Sequence, residues 1–237
     1  MTPLDRARDR LTLTPLRPKL LSCRLIPRLD PALAPGLGCD PARHTSVGLV
    51  TCDQDDALYA ALDHATKFAA VDVTFAQSFY AGAAHASGPY SGEILGVLAG
   101  ADPDDVAEGL LALREALAES ICFYTLPGEN MPAFFPHVIS GLGRYLSAQA
   151  GLAIGQPMAY LIAPPVEAMV AVDHALKSAD VKVAKLFPPP TETNFAGAWL
   201  TGTLHQVEAA ARAFTEAVAE VASRPLEAAV RPARQRR

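Results

Sequence analysis

The chain has 237 residues, of which 50% are hydrophobic and 19% are charged, and its formal net charge is −5. This share of charged residues is below the ~25% of an average soluble domain, which indicates that other subunits cover part of the surface. A negative chain without a basic face argues against a nucleic-acid partner. We expect no membrane span, because no apolar run reaches ~18 uncharged residues. The N-terminus has no apolar stretch of the signal-peptide kind, so we expect a cytosolic protein.

In chain order, the first half predicts a strand, a helix, a strand, a long loop, a strand and a helix, preceded by one more strand candidate. The strand candidates are 20–26, 46–51, 71–75 and 93–99, the helical patterns are 58–69 and 104–120, and the loop is 77–92. The loop is rich in Gly, Ser and Ala. Loops of this length inside a compact domain are usually functional or disordered.

The segment 63–73 recurs at 173–183, with seven of eleven positions identical: Asp, His, Ala, Lys, Ala, Val and Val. The second half repeats the order of elements, with strands 158–162, 181–187 and 196–201, helices 167–179 and 206–223, and a loop 188–194. A spacing of 110 residues (63 to 173) far exceeds the ~20–50 residues of solenoid repeats. The chain therefore predicts two tandem domains of an α/β (α+β sandwich) class, with helices packed on sheets.

The repeat suggests a division of the chain into four parts. We expect an N-terminal extension at 1–15, a first domain at 16–125, a second domain at 126–226 and a basic tail at 227–237. The tail is expected to be disordered and solvated, or to bind weakly to an anionic surface.

Acidic residues provide the candidate chemistry. Asp53, Asp55 and Asp56 cluster before a helix, where they can cap it and favour its positive end, or where one carboxylate can receive a ligand amine. Glu93 follows Gly92 at the entry to a strand, as an edge-strand charge or as a ligand group. We find no catalytic constellation, no cofactor motif and no metal-ligand spacing. The sequence therefore predicts a protein that is not an enzyme, with no cofactor and no metal.

Several segments resemble the tandem-domain shell proteins of bacterial microcompartments, in particular those of ethanolamine-utilising compartments. In the first half they are Gly48-Leu49-Val50, Asp55-Asp56, Asp63-x-Ala65-Thr66-Lys67, Tyr80-Ala81-Gly82-Ala83-Ala84-His85 and Gly92-Glu93. In the second half they are 157–168, 175–181, 188–194 and Leu200-Thr201-Gly202. The resemblance extends from about residue 17 to residue 225 and leaves the N-terminal extension and the basic tail unexplained.

The resemblance implies two tandem, circularly permuted microcompartment domains of ferredoxin-like topology. It implies a homotrimer that mimics a hexagonal tile and packs with other shell proteins into the wall of a microcompartment in the cytoplasm. The long loops 78–92 and 188–194 would line a gated central pore for metabolites. A small-molecule-binding regulatory protein built from two ferredoxin-like halves is the alternative interpretation.

The resemblance also implies a small pocket that binds ethanolamine, a cation with one hydroxyl group. Such a ligand calls for carboxylates, an aromatic face for the ammonium and a neutral hydrogen-bonding group. The resemblance assigns these roles to Asp55 or Asp56, Glu93, Phe123 and Thr193, with Glu167 as an outer candidate. Taken alone, Phe123 would be assigned to the core.

Overall fold

The computed structural model describes residues 11–79, 90–189, 191 and 194–226. The strands are β1 (Thr14–Leu16), β2 (Leu20–Ile26), β3 (Ser46–Cys52), β4 (Asp72–Ser78), β5 (Ile94–Gly100), β6 (Phe123–Thr125), β7 (Ala133–Ile139), β8 (Met158–Ala163), β9 (Lys182–Phe187) and β10 (Ala196–Thr201). The α-helices are α1 (Asp55–Phe68), α2 (Pro103–Glu119), α3 (Arg144–Ala150), α4 (Pro165–Ser178) and α5 (Leu204–Ser223). A 3-10 helix, Ala34–Leu37, lies between β2 and β3. No described helix has both the length and the apolar character to cross a membrane.

The strands form two antiparallel sheets that repeat one topology. The smaller sheet has the order β2-β3-β5-β4, and the larger has the order β1-β6-β7-β8-β10-β9. The last four strands of the larger sheet are the counterparts, in the same order, of the four strands of the smaller one. This repetition confirms the two α/β copies that the sequence predicts.

Local sequence signals account for most of the helix boundaries. Helix α4 begins with Pro165 at its first position, where the missing N–H would have no partner in any case. Helix α5 begins with a capping box in which Thr203 and Gln206 satisfy each other's backbone N–H groups. The Asp102 side chain accepts a hydrogen bond from the backbone of Asp104 at the start of α2. These elements lie within two residues of the predicted ones.

The stretch between the two copies, where the sequence predicted no elements, contains β6, β7 and α3. Strand β7 carries Pro136, which lies opposite Leu161 of β8, and a proline argues against an inner strand because it cannot donate to the ladder. Helix α3 has only seven residues and follows Gly143, which offers no capping side chain. The expected domain boundary between residues 125 and 126 falls between β6 and β7, and the division of the chain into domains stays a prediction.

A buried carboxylate joins the two halves. Asp63 in α1 has no exposed surface, and its two oxygens accept the backbone N–H groups of Gly143 (2.7 Å) and Leu146 (2.8 Å). These are among the N–H groups that a helix start leaves unpaired, so Asp63 caps α3 from another helix. Thr66 adds a third bond, from the backbone N–H of Arg144 to its hydroxyl (2.9 Å). A Cβ atom on Gly143 would lie 2.4 Å from the Asp63 carbonyl oxygen, so the close approach requires glycine.

Candidate ligand-binding site

The acidic cluster lies where α1 begins. Its N-cap residue is Gln54, which makes no side-chain capping bond, so the suggestion of an aspartate cap is wrong. Asp53 instead accepts the backbone N–H of Lys19 (2.7 Å). Asp55 and Asp56 occupy the first turn, where negative charge suits the positive end of the helix.

A cavity of about 270 Å³, here called the acidic cavity, opens beside this helix start. Four of the six predicted site residues line it. The complete lining is Leu16, Asp53, Gln54, Asp55, Asp56, Glu93, Phe123, Ala133 and Phe195. Because Leu16 and Phe195 come from opposite ends of the chain, the cavity is formed by both halves together.

The Phe123 ring serves both the core and the cavity. It is only 7% exposed and packs 4.9 Å from the Phe135 ring and edge-on at 6.1 Å from the Phe195 ring, measured between centroids. The two assignments weighed for Phe123 are therefore compatible.

Glu93 is placed by its backbone. Its N–H donates to the carbonyl of Cys52 (2.7 Å), and its own carbonyl accepts the N–H of Phe79 (2.8 Å). Gly92, just before it, has a φ of +71°, and a Cβ atom there would lie 2.4 Å from the Cys52 carbonyl oxygen. Only glycine permits this turn, so the Gly92-Glu93 pair delivers a carboxylate to the cavity immediately before β5.

Asp55 and Asp56, the two carboxylates in the first turn of α1, are more shielded from solvent than ordinary surface acids. Asp55 accepts the hydroxyl of Ser78 (2.8 Å) and the backbone N–H of Asp56 (2.8 Å). Burial raises the pKa of Asp55, and the charge of Glu93 adds a smaller increase. Burial, and then the charge of Asp55, raises the pKa of Asp56 well above its ordinary value, although the Tyr160 hydroxyl donates a hydrogen bond to it.

A second cavity of about 260 Å³, here called the aromatic cavity, is also lined by Asp55 and Asp56. Its lining adds residues that the sequence reasoning missed, namely Tyr59, Ala76, Ser78, Tyr145, Leu146, Gln149, Tyr160, Ile162, Lys185, Phe187, Thr191 and Trp199, with Phe195 shared. The Lys185 ammonium stands 5.0 Å from the Trp199 ring and 5.3 Å from the Phe187 ring, so it places a cation over aromatic faces.

The two remaining predicted residues are not brought into this group. Glu167 lies in the first turn of α4 and lines neither cavity. Thr193 lies outside the described residues. Their roles stay predictions.

Comparison with known proteins identifies the family. The chain is 47% identical over 211 residues to the bacterial microcompartment shell protein EutL of Clostridium perfringens, covering 89% of this chain and 97% of that relative. It is 44% identical over 214 residues to EutL of Escherichia coli, covering 90% of this chain and 97% of the relative. The chain belongs to the EutL family of bacterial microcompartment shell proteins. No family model matches it.

Solved structures agree with this membership. The ethanolamine utilization protein EutL of Leptotrichia buccalis superposes with a TM-score of 0.87 at 45% identity, over 91% of this chain and 99% of that one. The trimeric shell protein PduB has a TM-score of 0.71 at 18% identity, over 86% of this chain and 89% of its own, which shows a shared fold. Membership in the EutL family confirms the resemblance seen in the sequence and the expected placement in a microcompartment shell in the cytoplasm.

Proposed function

We propose that the chain forms a homotrimeric tile of the microcompartment wall, with a gated central pore and a pocket for ethanolamine, and that it packs beside other shell proteins. The trimer is supported by the shared fold with PduB, which is described as trimeric. The ethanolamine context is supported by the EutL structure described as an ethanolamine utilization protein. The relatives named above are shell proteins, which favours a structural role without catalysis over a regulatory protein.

The observation that carries the ligand proposal is the meeting of Asp55, Glu93 and Phe123 in one cavity. Two carboxylates can hold the ammonium of a small cation by charge-assisted hydrogen bonds. The Phe123 ring offers a face to the same ammonium, and the buried amide oxygen of Gln54, which has no partner among the described residues, can accept a hydroxyl.

The pocket also connects to a loop that the resemblance assigns to the pore. Ser78 is the last residue of β4, and residues 80–89, which lie outside the described residues, follow after Phe79. Ser78 is held at both ends, because its hydroxyl donates to Asp55 and its backbone N–H donates to the Tyr59 hydroxyl (2.9 Å). An ammonium bound at Asp55 changes the electrostatic potential at the Ser78 hydroxyl. This supports coupling between the ligand and the segment that follows Ser78.

The proposal predicts selective, pH-dependent binding. Ethanolamine should bind to the trimer in calorimetric titration, whereas ethylene glycol, which lacks the ammonium, should not. The raised pKa of Asp55 means that this carboxyl takes up its proton at a higher pH than an ordinary one. Affinity for the cation should therefore fall as the pH is lowered, and the fall should begin at a higher pH than for a site lined only by unperturbed carboxyls.

Equal binding of ethanolamine and ethylene glycol would show that the carboxylates do not recognise the ligand. An affinity that stays constant until the pH at which an ordinary carboxyl titrates would show that no raised-pKa carboxylate contacts the ligand. If neither compound binds, the proposed ligand-binding role of the pocket is wrong and the shell role is unaffected.

A further inference from the structure

The internal repeat allows the two halves to be compared surface by surface. Asp63 in α1 is fully buried, whereas its counterpart Asp173 in α4 has a 62% exposed side chain. Val170 and Leu176 on the same face of α4 are 47% and 37% exposed. Helix α1 therefore buries this face against the second half, whereas the equivalent face of α4 is exposed.

The segment that covers α1 also has a counterpart. In the β7–β8 connection, the N–H of Leu142 donates to the carbonyl of Gln156 (3.0 Å), and in the β2–β3 connection, Leu29 donates to Thr45 in the same way (2.7 Å). Four residues after each of these leucines comes another leucine. Leu146 is 1% exposed and packs in the core joining the halves, whereas Leu33 is 55% exposed. The internal contact therefore has two uncovered counterparts, which are the exposed face of α4 in the second half and the β2–β3 connection in the first half.

In two of the residue pairs that form the internal contact, both members differ between the halves. Within the chain, the Thr66 hydroxyl accepts the backbone N–H of Arg144. Counting along the repeat, Thr66 corresponds to Leu176 and Arg144 corresponds to Pro31. Proline has no N–H to donate, so the acceptor and the donor are lost together.

A second pair follows the same rule. Within the chain, the Tyr160 hydroxyl donates to Asp56. Their counterparts are Leu49, four residues after Thr45, and Val166, which is 64% exposed. A polar pair is again replaced by an apolar pair on both sides, as expected if the two uncovered surfaces meet.

We propose that the exposed face of α4 in one copy docks on the β2–β3 connection of the next copy, with Leu33 in the place that Leu146 occupies within the chain. Such a contact runs head to tail, and head-to-tail contacts form a ring if the rotation closes. Three chains of two halves close a ring of six. This inference rests on the trimeric tile proposed above and adds the surfaces that build it.

The contact between copies is not an identical copy of the internal one. Gly143, which has no room for a Cβ atom, corresponds to Asp30, which has one. The neighbouring segment must therefore lie farther from α4 than α3 lies from α1. The side chain of Leu176, which is larger than that of its counterpart Thr66, suits this wider, apolar contact.

Leu33→Glu tests the contact. The chain should fold, because Leu33 is largely exposed within it, but the trimer dissociation constant measured by sedimentation should rise at least tenfold. Leu111→Glu is the matched control, since Leu111 in α2 is 53% exposed and lies outside the proposed surfaces. An unchanged dissociation constant in the Leu33 variant would overturn the inference.

A cross-linking test identifies the partner surfaces directly. The full chain carrying both Pro31→Cys and Leu176→Cys should give covalent dimers and trimers with a short bismaleimide, while the parent and each single variant should not. If the double variant is a trimer but gives no covalent species, the inference is overturned and the proposed trimeric tile stands. A parent protein that is not a trimer would overturn both.

Discussion

Replacing Asp63 with alanine is expected to lower the free energy of unfolding by about 3–4 kcal/mol, because two charge-assisted hydrogen bonds are lost and the N–H groups of Gly143 and Leu146 stay buried without partners. Both bonds join α1 to α3, so the loss loosens the two halves as well as the helix start. Chemical denaturation followed by circular dichroism measures the change.

An exposed ion pair elsewhere offers a control within the same chain. Glu220 in α5 pairs with Arg224 at 2.9 Å, with both side chains more than half exposed, and an exposed pair of this kind contributes little. Glu220→Ala should therefore change the free energy of unfolding by less than about 1 kcal/mol. Similar losses in the two variants would show that Asp63 does not act as the cap described here.

Glu93→Gln is expected to weaken ethanolamine binding by roughly ten- to a hundredfold. The substitution nearly preserves the shape of the side chain and removes its charge, and a charge-assisted hydrogen bond in a desolvated pocket contributes about 1.5–3 kcal/mol. At ~1.4 kcal/mol per decade of affinity, this loss gives the stated range. Calorimetric titration of the parent and the variant measures it.

The trimer should persist in this variant, because Glu93 lies in the acidic cavity and not on the proposed contact between copies. Glu108→Gln, on an exposed position of α2, is the control for a general loss of negative charge. Unchanged ethanolamine affinity in the Glu93 variant would remove this carboxylate from the site.

The elements that could be predicted are those whose sequence carries a strong local signal. The apolar run of β8 and the prolines at the start of α4 indicate their elements without knowledge of the rest of the chain. Strand β7 and helix α3 could not be predicted in this way, because Pro136 argues against a strand and Gly143 is capped by a residue 80 positions earlier. Contacts at that distance leave no local signal.

The residues of the candidate site also divide into those that the sequence could indicate and those that it could not. Asp55, Asp56, Glu93 and Phe123 were available from motif resemblance, and the structure places them around one cavity. The aromatic cavity was missed because it is assembled from single residues of many elements. Tyr160 offers the only hint, as a tyrosine in an otherwise aliphatic buried strand, since a buried hydroxyl needs a partner.

The central claim is that this chain builds a trimeric shell tile, and the mass of the parent particle in solution tests it most directly. Multi-angle light scattering at micromolar concentration should give three times the 25.0 kDa of one chain, and the particles should go on to associate into sheets. A particle that stays at the mass of one or two chains would contradict the account.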